Sequence, residues 1–134
     1  MNSLRSALLE RVVIADGAMG TMLQAQNPSL EDFQNHEGCN EILNITRPDI
    51  VKAVHEEYLK VGVDAIETNT FGANFANLAE YGIEDRIYEL AFAGATLARQ
   101  VADQYSTAAK PRWVLGSLGP VSYTHLTLPT ILRV

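Results

Sequence analysis

The chain has 134 residues, 47% hydrophobic and 19% charged, with 10 basic against 16 acidic side chains and a net charge of −6. This composition suits one globular domain and excludes a disordered chain, and no stretch of about 18 apolar residues is available for a membrane-spanning helix. The acidic balance disfavours nucleic acid and anionic membrane as partners, and a single cysteine, Cys39, excludes both an internal disulfide framework and a cysteine-rich zinc site.

In chain order, Ser3 to Arg11 is expected to form a short opening helix with Ser3 as its cap. No apolar core of signal-peptide type follows it, so cytoplasmic residence is expected. Val12-Val13-Ile14-Ala15 reads as a buried strand ending at Asp16-Gly17, and Gly20 to Gln26 as a short helix. Asn27 to Asn44 reads as a long irregular connection. Thr46-Arg47-Pro48-Asp49 fits a capping box opening a helix that carries Ile50, Val51, Val54, Tyr58 and Val61 on one face. His55 falls at the edge of that stripe and reads as a surface or boundary residue. Gly62 is a natural helix stop, and Val63 to Thr68 a second strand. The strongest helix runs from Glu84 to about Tyr105, with Ile87, Leu90, Ala91, Gly94, Leu97, Ala98, Val101 and Tyr105 sharing a face. Trp113 to Ser117 is the third strand.

Short apolar strands alternating with helices imply a parallel sheet with right-handed crossovers. Three strands cannot close a barrel, and an eight-stranded (β/α) barrel takes about 250 residues. The chain is therefore either a small open sheet or the first third of something larger. The last fourteen residues, Val121 to Val134, contain no acid and only one base, Arg133. Pro120/Val121 is thus a compositional boundary, dividing a 1–120 segment from a 121–134 tail that looks foreign or out of frame.

Ligands of parallel α/β sheets gather at the carboxyl ends of strands. All three predicted strands end in polar or glycine-rich sequence: Asp16-Gly17-Ala18-Met19-Gly20-Thr21, Glu67-Thr68-Asn69-Thr70-Phe71 and Gly116-Ser117-Leu118-Gly119-Pro120. A carboxylate beside free amides suits a zwitterion, with Asp16 facing an ammonium and the amides a carboxylate. The competing reading is a tight turn with Asp16 as helix cap. Glu67, directly after apolar Ala65-Ile66, is costly at a buried strand end unless a ligand cation or a chain Arg or Lys pairs with it. Two function classes remain on these grounds: an enzyme binding an amino-acid-like substrate, or a phosphate-binding module, which two carboxylates would repel. His36-x-x-Cys39 is half a metal motif at best, with Cys39 most simply a packed free thiol and His36 a solvated loop residue. His125, in the tail, is assigned nothing.

These motifs, together with Gly38-Cys39-Asn40-Glu41, Thr46-Arg47-Pro48-Asp49-Ile50-Val51, Tyr88-Glu89-Leu90 and Ala93-Gly94-Ala95, occur in the order found in the homocysteine S-methyltransferase family. The resemblance is nearest to the homocysteine-binding domain of cobalamin-dependent methionine synthases and covers Met1 to Pro120. It implies an α/β fold, the first three βα units of a truncated (β/α)8 TIM-type barrel. It implies methyl transfer from methylcobalamin, recharged by methyltetrahydrofolate, to the zinc-activated thiol of homocysteine. Zinc and cobalamin would serve the full-length enzyme, with neither site contained in this segment, and the folate and cobalamin modules would be its partners. On matching positions the resemblance nominates Asp16, Gly17, Ala18, Met19, Glu67, Thr68 and Asn69 for substrate binding, and no residue here for catalysis or metal ligation. The alternatives are a zinc-dependent homocysteine methyltransferase using betaine or S-methylmethionine, and a non-catalytic amino-acid-binding module.

Overall fold

The computed structural model describes residues 3–119, so the tail, His125 and the boundary at Pro120 lie outside the described residues. Helix α1, Leu4–Glu10, starts where the Ser3 side chain accepts the Ser6 N–H at 3.1 Å, as its sequence predicts. It buries no residue. Arg11, just past its end, fastens it to the sheet by donating to both carboxylate oxygens of Asp64, at 3.0 and 2.9 Å. Asp64 also accepts the Ile14 N–H at 2.9 Å. The Arg11 hydrogen bonds hold the Asp64 carboxyl down at about 2, against the opposing effect of burial.

The extended segment from Val12 to Asp16 runs parallel to β1, Ala65–Glu67, with a single bridge at Ala15 and Ala65. Asp64 N–H and Ala65 N–H donate to Ile14 O, and Asp16 N–H donates to Ala65 O. On the other side, β1 pairs in parallel with β2, Trp113–Leu115, in the register Ala65–Trp113, Ile66–Val114 and Glu67–Leu115. The expected parallel order therefore forms, but the expectation that Val12–Ala15 is buried is corrected. Val12 is 82% and Ile14 58% exposed. Among the described residues nothing covers the outer edge or that face of the segment, and an apolar strand is buried only by its neighbours.

Between these segments lie α2, Gly20–Ala25, α3, Leu43–Thr46, and α4, Pro48–Val61. The connection expected to be irregular to Asn44 is in fact helical from Asn40, through a 3-10 turn into α3. The capping box does not form, because Thr46 closes α3 and its hydroxyl donates to Asp32 O. Arg47 takes the cap position with no side-chain cap bond, Pro48 supplies the first turn, and Asp49 pairs with Arg47 at 2.8 Å. Helix α4 stops at Gly62, whose φ of 100° is the left-handed conformation a side chain would disfavour. Lys110 donates to Gly62 O, and Arg112 to Leu59 O and Val63 O, so cations meet the carbonyl end of the helix.

Two residues of α4 depart from expectation. Ile50, Val51 and Val54 are buried as expected, but Val61 is 80% exposed, and His55 and Leu59, which follow Val51 at intervals of four, complete the buried stripe. His55 is fully buried, and neither ring nitrogen has a hydrogen-bond partner among the described residues. Burial drives its pKa down to about 4, so the ring is neutral at pH 7.

After β1 come α5, Phe75–Glu80, capped by the Asn74 side chain, and α6, Ile87–Tyr105. Helix α6 buries Leu90, Gly94, Leu97, Ala98 and Val101 of the face its periodicity predicts, and Ala102 besides, while Ile87, Ala91 and Tyr105 of that face are half-buried. Among the described residues the core forms three clusters. Leu97 meets Leu23, Leu43, Ile50, Val51 and Val54 between α6, α2 and α4. Ala98, Val101 and Ala102 meet Leu59, Val63 and Ile66 against the sheet. Leu90 meets Cys39, Ile42 and Leu78 at the strand-end side. Among the described residues no helix is long and apolar enough to cross a membrane.

Candidate functional site

The carboxyl ends of the three parallel segments converge. Asp16, at the end of the first, accepts the Glu67 N–H at 3.0 Å through Oδ1, which binds it to the end of β1. Burial is the main reason its pKa rises to about 6. The Glu67 amide opposes that rise and the Glu67 charge adds to it. Asp16 is thus mostly ionised at pH 7 yet sits in a setting that disfavours its charge. It is not a helix cap: Met19 holds the cap position of α2, with no side-chain cap bond.

The Gly17, Ala18 and Met19 amides have no backbone partner among the described residues. Helix α2 has only six residues, so its dipole adds little and the free amides themselves are the anion-seeking groups. Tyr58 OH, reaching up from α4, donates to Ala18 O at 2.8 Å.

Glu67 is exposed, so the expected cost of burying it does not arise. Thr68 and Asn69 are buried and committed internally. The Asn69 amide donates to Asn40 O and Asn44 Oδ1, each at 2.9 Å. The Thr68 hydroxyl lies 2.6 Å from that of Thr70 and accepts the Ser117 N–H at 3.0 Å. Asn44 donates in turn to Asn69 O and Leu90 O. Buried polar groups satisfied in this way fix the strand-end loops against one another.

A hollow of about 210 Å³ opens between these ends, lined by Asp16, Gly17, Met19, Glu67, Thr68, Asn69, Phe71 and Ser117. Six of the seven sequence candidates share it; Ala18 does not line it. It is smaller than the roughly 300–1,000 Å³ of sites for drug-sized ligands, and suits an amino acid. A homocysteine S-methyltransferase family model matches residues 13–130.

The chain belongs to the homocysteine S-methyltransferase family.

Relatives in that family include methionine synthase of Mycobacterium tuberculosis (strain ATCC 25618 / H37Rv), 52% identical over 117 residues. Methionine synthase of Mycobacterium leprae (strain TN) is 50% identical over 117 residues. Each match covers 87% of this chain and 10% of the relative, so the chain spans about a tenth of the length of the curated relatives it matches. Among solved structures, the homocysteine methyltransferase MmuM from Escherichia coli matches in its metallated form with a TM-score of 0.72 and in its oxidized form with 0.73. Both are 27% identical, covering 93% and 94% of this chain and 44% of theirs.

For a homocysteine S-methyltransferase segment, the described residues offer no zinc cradle. No group of three or more His, Cys, Asp or Glu stands close enough to hold a metal among them. Cys39 is fully buried, its thiol pushed up to about 11 by burial and then by the Glu41 charge, and its Sγ lies 3.7 Å from Glu41 Oε2. His36 packs edge-on against Tyr81. These residues do not fit the ion.

The individual candidates omitted Phe71 and Ser117, although both lie in strand-end motifs. Periodicity places Tyr58 on the core face, and nothing local shows that its hydroxyl reaches a carbonyl forty residues earlier.

Proposed function

We propose that the hollow binds homocysteine, with Asp16 taking the ammonium and the Gly17–Met19 amides the carboxylate, as part of a methionine synthase that methylates the homocysteine thiol. The observation that carries this is the shared hollow of Asp16 and the free amides, a paired anion and donor set at one strand-end cluster. On this reading residues 12–16, β1 and β2 are the first three strands of a (β/α)8 barrel. Zinc, as thiol activator, and methylcobalamin, as methyl donor, belong to chain beyond this segment. Higher identity to methionine synthases than to MmuM favours the cobalamin-dependent branch over one using betaine or S-methylmethionine.

Titration of the chain with homocysteine, followed by amide NMR, tests the assignment. Shifts should centre on Gly17–Met19, inorganic phosphate should produce none, and Asp16→Asn should weaken binding about 10–100-fold, as expected for loss of a charge-assisted hydrogen bond of about 1.5–3 kcal/mol. Shifts unaltered in Asp16→Asn would refute the assignment.

The pH profile has a definite sign. Asp16 accepts an ammonium only when ionised, so homocysteine affinity should fall as pH drops through about 6. The Asp16→Asn profile should be flat there. Methionine formation by the 134-residue chain alone would contradict the placement of zinc and cobalamin elsewhere.

A further inference from the structure

We infer that Tyr58 is a positioning residue: its hydroxyl, by holding Ala18 O, aims the Met19 amide at the ligand's carboxylate. The inference rests on the homocysteine assignment above and extends it to a residue outside the hollow. Tyr58 OH donates to Ala18 O at 2.8 Å, from below the loop. Neither Tyr58 nor Ala18 lines the hollow, whereas Gly17 and Met19 on either side of Ala18 do. The residue whose carbonyl Tyr58 holds is thus flanked by two that face the hollow.

A trans peptide points its C=O and N–H in opposite directions. Turning the Ala18 carbonyl towards Tyr58 therefore turns the Met19 N–H away from it, to the hollow's side of the loop.

The Met19 side chain packs against the Leu23–Val54 cluster, but few hydrogen bonds fix the turn of that peptide. The Asp16 N–H is bound to Ala65 O, and the next backbone bond is from Leu23 N–H to Met19 O. Between them the Tyr58 hydroxyl is the tether among the described residues. The tyrosine itself is well anchored, because its ring packs against both the Leu23–Val54 cluster and the Leu59–Val101 cluster. A Cβ placed on Gly17 would sit 3.5 Å from the hydroxyl and 4.0 Å from the nearest ring carbons, which puts the tyrosine tip beside this turn of the loop. The sheet-side core thus fixes the ring, the ring fixes one carbonyl, and that carbonyl fixes the donor.

Tyr58→Phe keeps the ring and removes only the tether. In the 134-residue chain its melting temperature should stay within about 3 °C of wild type, whereas the backbone amide order parameters of Gly17, Ala18 and Met19 should fall by about 0.1 or more. Homocysteine, titrated as above, should bind about 5–20-fold more weakly while the pH dependence through Asp16 persists. Unchanged loop order parameters overturn the tether, and lower order parameters with unchanged affinity overturn the positioning role while leaving the homocysteine site intact. If homocysteine shifts no loop amide in wild type, the site assignment fails and the ligand role of Tyr58 fails with it. Lower order parameters in Tyr58→Phe would then show a loop brace alone.

Discussion

Gly94→Ala should destabilise the chain by about 2–4 kcal/mol, read as a lower urea midpoint with an unchanged slope. The added methyl would lie 2.7 Å from Asn44 Nδ2, 2.7 Å from Thr70 Cγ2 and 3.2 Å from Asn69 O. None of these can retreat cheaply. Asn44 Nδ2 is held by Asn69 O and Leu90 O, and Thr70 by Thr68 and Ser117. Moving Asn44 strands buried polar groups at roughly 1–3 kcal/mol each, while overpacking itself costs about 1–3 kcal/mol. Alanine's better helix propensity returns only about 1 kcal/mol. Gly116→Ala is the control, since a Cβ there meets nothing within 4 Å, and its effect should be within about 0.5 kcal/mol. A Gly94→Ala chain as stable as that control would mean the Asn44–Asn69–Thr70 network is not rigid.

His55 should make the chain acid-sensitive. Its folded pKa lies at about 4 because burial disfavours the charged ring, against 6.5 in the unfolded chain. Below pH 6.5 the unfolded state takes up a proton that the folded state refuses until about pH 4. Stability contributed at neutral pH is therefore lost as pH falls across that window, by as much as about 3 kcal/mol. Asp16 acts in the opposite sense: its raised pKa lets the folded state bind a proton more readily than the unfolded one between about pH 6 and 4, and so gains stability on acidification. The difference between wild type and His55→Leu isolates the histidine. That variant removes two buried nitrogens without partners, and should be more stable by about 1–2 kcal/mol at pH 7, with a larger gap at pH 5. Urea midpoints at pH 7.5, 6 and 5 measure it. A gap that closes on acidification would show the ring protonated in the folded state.

Periodicity made α4 and α6 legible, and strand-end composition pointed to the hollow, because both are local signals. What escaped depends on long-range contacts. The exposure of Val12 and Ile14 is decided by neighbours across the sheet. The Thr46 capping box lost to a tertiary bond with Asp32 O. Helix α3 is a four-residue element shaped by what it packs on. His55 left a readable trace, since Val51, His55 and Leu59 recur at intervals of four, but a stripe counted only from apolar residues passes over it. The seven substrate-site candidates split for the same reason. The Asn69 and Thr68 side chains are spent on internal bonds that no spacing reveals, leaving Asp16 and the amides beside it for a ligand.

The bond from the Glu67 amide to Asp16 Oδ1 makes the carboxylate proposed to bind the ligand a registration pin as well. Sliding the first segment by one position would bring Ala15 or Gly17 opposite that amide, and neither has a side-chain acceptor to offer. A mispaired chain would therefore lose the anionic half of its hollow at the same moment as its alignment. Inserting or deleting a single residue between Arg11 and Asp16 should be far more damaging than the same change in the turn-rich Asn27–Gly38 stretch, where the chain can absorb slack without moving a strand.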